Sequence, residues 1–198
     1  GDALTYAWDI DNDGAFDDAA GVNPTLNWAA LMGLGVVDGT STVRVQVTDA
    51  QGATDVDTAN LTINNLDPVA DGSVYTINEG QSVTLDGSGS TDPGDDALTY
   101  AWDLDNDGAY DDAVGVGPTL NWAALDALGL TDGAYNIALR VTDAQGATHI
   151  DATTLTINNL NPVADAGGPY TIDEGQSLTV TAAGTTDPGG DALTYAWD

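Results

Sequence analysis

Ala97-Leu98-Thr99-Tyr100-Ala101-Trp102-Asp103 is a seven-residue run that also stands, unchanged, at Ala3–Asp9 and Ala192–Asp198. Leu98, Tyr100 and Trp102 alternate with Thr99 and Ala101, the period of two that a strand with one buried face requires. The same alternation recurs in Tyr135, Ile137, Leu139 and Val141 against Asn136, Ala138, Arg140 and Thr142. Val83 and Leu85 likewise alternate with Ser82, Thr84 and Asp86. After Thr148 the apolar phase runs through Ile150 and Ala152 and then shifts to Leu155 and Ile157, which predicts a bulge. Leu120 to Leu130 breaks the pattern: Trp122, Leu125, Leu128 and Gly129 suit a short helix or tight turn.

Tyr6 and Tyr100 are 94 residues apart, Tyr100 and Tyr195 are 95 apart, and residues 1–68 are identical to residues 95–162 at 46 of 68 positions. The chain is therefore a tandem repeat. The boundaries fall at Asn64-Asn65-Leu66-Asp67-Pro68 and its copy Asn158-Asn159-Leu160-Asn161-Pro162, because proline continues neither a helix nor a ladder. The expected division is 1–67, a repeat lacking its opening strands; 68–161, a complete repeat; and 162–198, the first part of a third. Short strands between Gly, Asp and Pro turns predict an all-β chain of immunoglobulin-like Greek-key sandwiches.

Tyr75-Thr-Ile-Asn-Glu-Gly-Gln-Ser-Val-Thr-Leu85, Gly87-Ser-Gly-Ser-Thr-Asp-Pro93, Leu98–Asp103 and Val141-Thr-Asp-Ala-Gln-Gly-Ala-Thr148 together resemble the PKD-type immunoglobulin-like domain. The resemblance implies a spacer or adhesion module, or a companion to the catalytic domain of a secreted hydrolase. The chain departs from the family's usual Trp-Asp-Phe-Gly-Asp-Gly run by inserting an Asp-rich loop after the tryptophan.

That loop reads Asp9-Ile10-Asp11-Asn12-Asp13-Gly14-Ala15-Phe16-Asp17-Asp18 and again Asp103-Leu104-Asp105-Asn106-Asp107-Gly108-Ala109-Tyr110-Asp111-Asp112. Carboxylates at positions 1, 3, 5 and 9, glycine at 6 and a backbone carbonyl at 7 (Ala15, Ala109) match a calcium loop of EF-hand or dockerin type. The glutamate such loops carry at position 12 is replaced by Ala20 and Val114, so closure is expected from Asp18 and Asp112 or from another loop. Glu79 and Asp132 are the best added ligands, since sandwich topology brings their turns to the same end. Five carboxylates in ten residues repel one another unless a cation, Ca²⁺ by this chemistry, is present.

The 198 residues include 32 acidic and two basic side chains, one histidine and no cysteine, for a net charge of −30. Such a chain is no partner for nucleic acid. It has no disulfide framework and no thiolate chemistry. Its longest apolar run, Trp28–Val37, is too short to span a bilayer. The chain does not open on methionine and reads as a piece of a longer precursor. His149 aligns with Asp55 and is expected to be an exposed strand residue, not a catalytic base. Trp8, Trp102 and Trp197 fall in phase with the core, whereas Trp28 and Trp122 lie on the irregular segment.

These features predict a non-enzymatic, calcium-stabilised, extracellular stalk, adhesin or fibre. Its partners are neighbouring copies of the repeat, with a cell-surface or glycan ligand as a further candidate. The alternative is a carbohydrate-binding or spacer module of a secreted hydrolase. The missing opening strands of residues 1–67 are complementary to Tyr170–Ile172 and Leu178–Val180. They would be supplied within a covalent array, which the duplicated ALTYAWD favours, or by strand donation.

Overall fold

The computed structural model describes residues 3–198. It forms two compact units, Gly1–Leu66 and Asp67–Asp198.

In the second unit the strands are β5 (Tyr75–Asn78), β6 (Val83–Thr84), β7 (Thr99–Asp103), β8 (Ala113–Val114), β9 (Thr119–Leu120), β10 (Gly133–Thr142) and β11 (Thr148–Asn158), with a helix α2 (Trp122–Ala127). One sheet has the order β5-β11-β10-β7-β8, and β6 pairs with β9 in a second layer. The opening strand β5 runs parallel to the last strand β11, from Tyr75 opposite Leu155 to Asn78 opposite Asn158. Between the layers Val83, Leu85, Trp102, Leu104, Leu125, Leu139, Val141, Leu155 and Ile157 form one buried cluster. The alternating positions of β6 and β10 supply this core as their period demands. An all-β, immunoglobulin-like sandwich results.

α2 follows an Asn121 cap whose side chain accepts from the Ala124 N–H, and it closes the core with Leu125. The expected short helix is therefore present.

The expected bulge in β11 is absent. Pairing with β10 is one-to-one from Gly133 opposite Ile157 to Thr142 opposite Thr148, which leaves Ile150 on the outer face, 49% exposed. The sandwich-facing positions in this half of the strand are polar because they fasten the incoming linker. His149 Nδ1 accepts from the Ala70 N–H, Asp151 from the Gly72 N–H, and Thr153 donates to the Ser73 carbonyl. His149 is thus an exposed strand residue with a structural bond.

In the first unit, β1 (Thr5–Asp9), β2 (Ala19–Ala20), β3 (Gly39–Thr48) and β4 (Thr54–Ile63) form one sheet in the order β2-β1-β3-β4, with α1 at Trp28–Gly33. Trp8 is half-buried, whereas its copy Trp102 is fully enclosed.

Residues 162–198 belong to the second unit. Tyr170–Ile172 and Leu178–Val180, expected as an opening pair of strands, form no ladder. In the preceding repeat their counterparts pair with β11 and β9, and residues 162–198 contain no copy of either. Trp197 is accordingly 53% exposed, against the expectation of a core residue. The local frame is nevertheless repeated. Val163 bridges Thr186 as Val69 bridges Thr91, and Tyr170 Oη bonds the Thr181 backbone as Tyr75 Oη bonds that of Asp86.

Candidate cation-binding loops

Each Asp-rich loop is the connection of a short hairpin. β7 delivers Asp103 as its last residue, and the Asp112 N–H returns to the Trp102 carbonyl at 3.2 Å. Leu104, at the second loop position, is buried in the core cluster and anchors the loop to the sandwich. Asn106 adopts φ 59° and Gly108 φ 91°, the left-handed turn that curls the loop inward. The first loop repeats this with Asn12 at 60° and Gly14 at 97°.

The curl converges carboxylates on one point. One oxygen from each of Asp103, Asp105 and Asp107 lies within 4.8 Å of the others, and Asp9, Asp11 and Asp13 do the same. Backbone N–H groups also hold these carboxylates. Asp103 Oδ2 accepts from Gly108 at 3.0 Å, Asp105 Oδ1 from Asp107 at 3.1 Å, and Asp107 Oδ1 from Ala109 at 2.7 Å. In the first loop Asp9 Oδ2 accepts from Gly14, Asp11 Oδ1 from Asp13, and Asp13 Oδ1 from Ala15.

Asp103 is 3% exposed and Asp9 fully buried, yet Oδ1 of each is enclosed without a hydrogen-bond partner among the described residues. A buried carboxylate oxygen left unpaired is costly, and a hard cation is what removes that cost. Burial pushes the Asp105 carboxyl up from the ordinary aspartate range, and the charges of Asp112, Asp107 and Asp103 add to it. The bond from the Asp107 N–H offsets part of the rise. Donor chemistry, turn geometry and orphaned oxygen together fit Ca²⁺.

The remaining expected ligands separate into groups. Asp18 and Asp112 do close the loops, but through the backbone: Asp112 Oδ2 accepts from the Leu104 and Asp105 N–H groups at 2.6 and 3.2 Å, and Asp18 Oδ2 does so from Ile10 and Asp11. Asp17 and Asp111 are exposed and outside the three-carboxylate groups, and Ala15 and Ala109 are exposed too. Asp132 joins no carboxylate group among the described residues; its carbonyl accepts from Tyr135 Oη at 3.3 Å. Glu79 is drawn to a different place, grouped with Asp187 and Asp191.

Two features were not in the sequence-derived site. Arg44 Nη1 bonds Asp9 Oδ2 at 3.1 Å, a pair with no counterpart in the second loop, where Ala138 replaces the arginine. Asp92, Asp96 and Asp143 form a fourth carboxylate group. The recurring Asp-Pro-Gly-x-Asp stretches at 92–96 and 187–191 were its signal in the sequence.

Family comparison assigns the repeats. Residues 72–157 match the family described as K319L-like, PKD domain, and residues 159–198 match the PKD domain family. Both segments are PKD-type repeats. The dyslexia-associated protein KIAA0319 homolog of Mus musculus is 35% identical over 119 residues, covering 58% of this chain and 11% of that protein. The KIAA0319-like protein of Mus musculus is 32% identical over 181 residues, covering 82% of this chain and 16% of that one. The chain thus spans well under a fifth of the length of these curated relatives. Among solved structures, the PKD1 domain of Vibrio anguillarum Epp is 29% identical, with 48% of this chain and 98% of that chain covered and a TM-score of 0.37. The PKD1 domain of the Vibrio cholerae metalloprotease PrtV is 23% identical, with 47% and 99% covered and a TM-score of 0.36. No helix among the described residues is long and apolar enough to cross a membrane.

Proposed function

We propose that this chain is a length of a non-catalytic, extracellular PKD-repeat array, a stalk, adhesin or fibre whose units are stabilised by calcium. The observation that carries the reading is the buried, unpartnered Oδ1 of Asp103 and of Asp9, each set among converging carboxylates at the same point of two repeats. Loops of this incomplete kind bind calcium at about 10⁻⁴–10⁻³ M, a concentration available outside cells. Head-to-tail copies of the repeat are its first partners, and a cell-surface or glycan ligand would be carried by the array. Tandem copies identical at 46 of 68 positions support this reading over a spacer beside a hydrolase, which needs one or a few.

Calcium binding to the folded form alone stabilises it by about 2.7 kcal/mol at a hundredfold excess over Kd. Thermal melting of the full chain in calcium and in EDTA tests the proposal. The expected outcome is a clear fall in Tm on chelation, reproduced for the second unit by Asp105→Ala with Asp107→Ala. An unchanged Tm overturns it.

A further inference from the structure

In the second unit, one repeat meets the next through carboxylates. Glu79 lies in the turn after β5 and is 2% exposed. Its N–H donates to the Asn158 carbonyl at 3.0 Å, and its Oε1 accepts from the Leu160 N–H at 2.6 Å, so the turn is tied to the linker between repeats. Its other oxygen, Oε2, has no hydrogen-bond partner among the described residues and faces the loop Asp187-Pro188-Gly189-Gly190-Asp191. A Cβ at Gly189 would overlap it. One oxygen from each of Glu79, Asp187 and Asp191 lies within 4.8 Å of the others. Arg140, the second unit's arginine, stacks on Tyr110 instead.

The loop is firmly docked. Trp122 Nε1 donates to the Gly189 carbonyl at 3.2 Å, and a Cβ at Gly80 would stand 2.7 Å from the Pro188 carbonyl oxygen. Glycine at both positions is what lets the two repeats approach.

The same loop one repeat earlier shows a further ligand. Asp92 Oδ1 accepts from the Gly94 and Asp96 N–H groups at 2.7 and 3.1 Å, and Asp187 Oδ1 from those of Gly189 and Asp191 at 3.0 and 3.1 Å. Asp96 Oδ1 accepts from Gln145 Nε2 at 3.3 Å. Asp92 Oδ2 and Asp96 Oδ2 are enclosed without a partner among the described residues, gathered with Asp143, which is 5% exposed and whose Oδ1 accepts from the Gln145 and Ala147 N–H groups. Carboxylates of this kind, held through one oxygen while Oδ2 of Asp92 and of Asp96 stays unpaired and crowded by like charge, are the ligand half of a hard-cation site.

We infer that the joint between consecutive repeats is a second divalent-cation site. The turn glutamate of one repeat (Glu79) and the two aspartates of the next repeat's Asp-Pro-Gly-x-Asp loop (Asp187, Asp191) take one ion together. The aspartate of the Val-Thr-Asp turn, Asp143 in the middle repeat, marks the position of a fourth carboxylate. The ion fixes the angle between repeats, whereas the Asp103–Asp112 ion stabilises a single repeat. The two sites share no ligand, so each stands or falls separately.

The chain's lack of cysteine makes the test direct. Spin labels on Thr148→Cys and Thr179→Cys, both exposed positions, report the distance between the second and third repeats in the full chain. Calcium should narrow the distance distribution that EDTA broadens. Glu79→Gln with Asp191→Asn should abolish the narrowing and remove one calcium from the calorimetric stoichiometry; the glutamine keeps its acceptor for Leu160. Gly189→Ala should broaden the distribution equally. Asp105→Asn with Asp107→Asn should leave the narrowing intact while removing the loop calcium. A wild-type distribution indifferent to calcium, or narrowing that survives in the Glu79/Asp191 variant, overturns the inference.

Discussion

Arg44 and Arg140 are the chain's two basic side chains, and each stacks over the aromatic residue of an Asp-rich loop. Arg44 lies 5.0 Å from the Phe16 ring and Arg140 4.5 Å from the Tyr110 ring. They reach equivalent rings from non-equivalent strand positions, which is why aligning the two repeats hides their common placement. Arg44 alone also bonds a loop carboxylate, Asp9. A calcium ion at the first loop would therefore compete with a resident cation, while at the second loop no arginine bonds a carboxylate among the described residues. Arg44→Ala should tighten calcium binding at the first loop roughly two- to fivefold, the span of about 0.4–1 kcal/mol for a partly exposed pair. Calorimetric titration in an Asp105→Asn/Asp107→Asn background isolates that loop. Affinity that stays level or weakens would show that the arginine does not compete. The spacing of the carboxylates was legible in the sequence because position and chemistry coincide in a loop; the arginine pair was not, because it depends on which strand lies beneath.

β4 and β11 are copies of one strand in two settings. Leu61 and Leu155 occupy the same position, yet Leu155 is fully buried and Leu61 only half-buried. The difference is the facing layer: β6 and β9 cover the sheet of the second unit, and the first unit has one sheet among its described residues. Leu155→Ala should cost about 2–5 kcal/mol and Leu61→Ala markedly less, measured by denaturant unfolding of the full chain. Equal losses would mean that the two strands share one environment. The alternation of β6, β7 and β10 could be read directly because each faces a core on one side throughout. β11 misled because half its inner face is polar by design of its contacts: His149, Asp151 and Thr153 grip the backbone of residues 70–73. Periodicity records burial against side chains, and it is blind to hydrogen bonding with a neighbouring backbone.

At the scale of the molecule, the repeat was visible as identity and the sandwich as alternation. Stacking the repeats head to tail brings one acidic end against the next, which is how Glu79 meets Asp187 and Asp191 from more than a hundred positions away; which carboxylates converge was not legible. The parallel pairing of β5 with β11 has a mechanical consequence. Tension on the chain pulls the start of β5 one way and the end of β11 the other, so the two strands slide along each other. The ladder from Tyr75–Leu155 to Asn78–Asn158 is then loaded in shear, and its bonds must fail together. Among the described residues the first unit's sheet, β2-β1-β3-β4, holds no such parallel ladder. Single-molecule pulling on the full chain should give two ruptures of unequal force, the second unit breaking at the higher one. Equal forces would show that the parallel ladder is not the clamp. A protein strung under load would thereby resist extension along its own axis while remaining only modestly stable to heat.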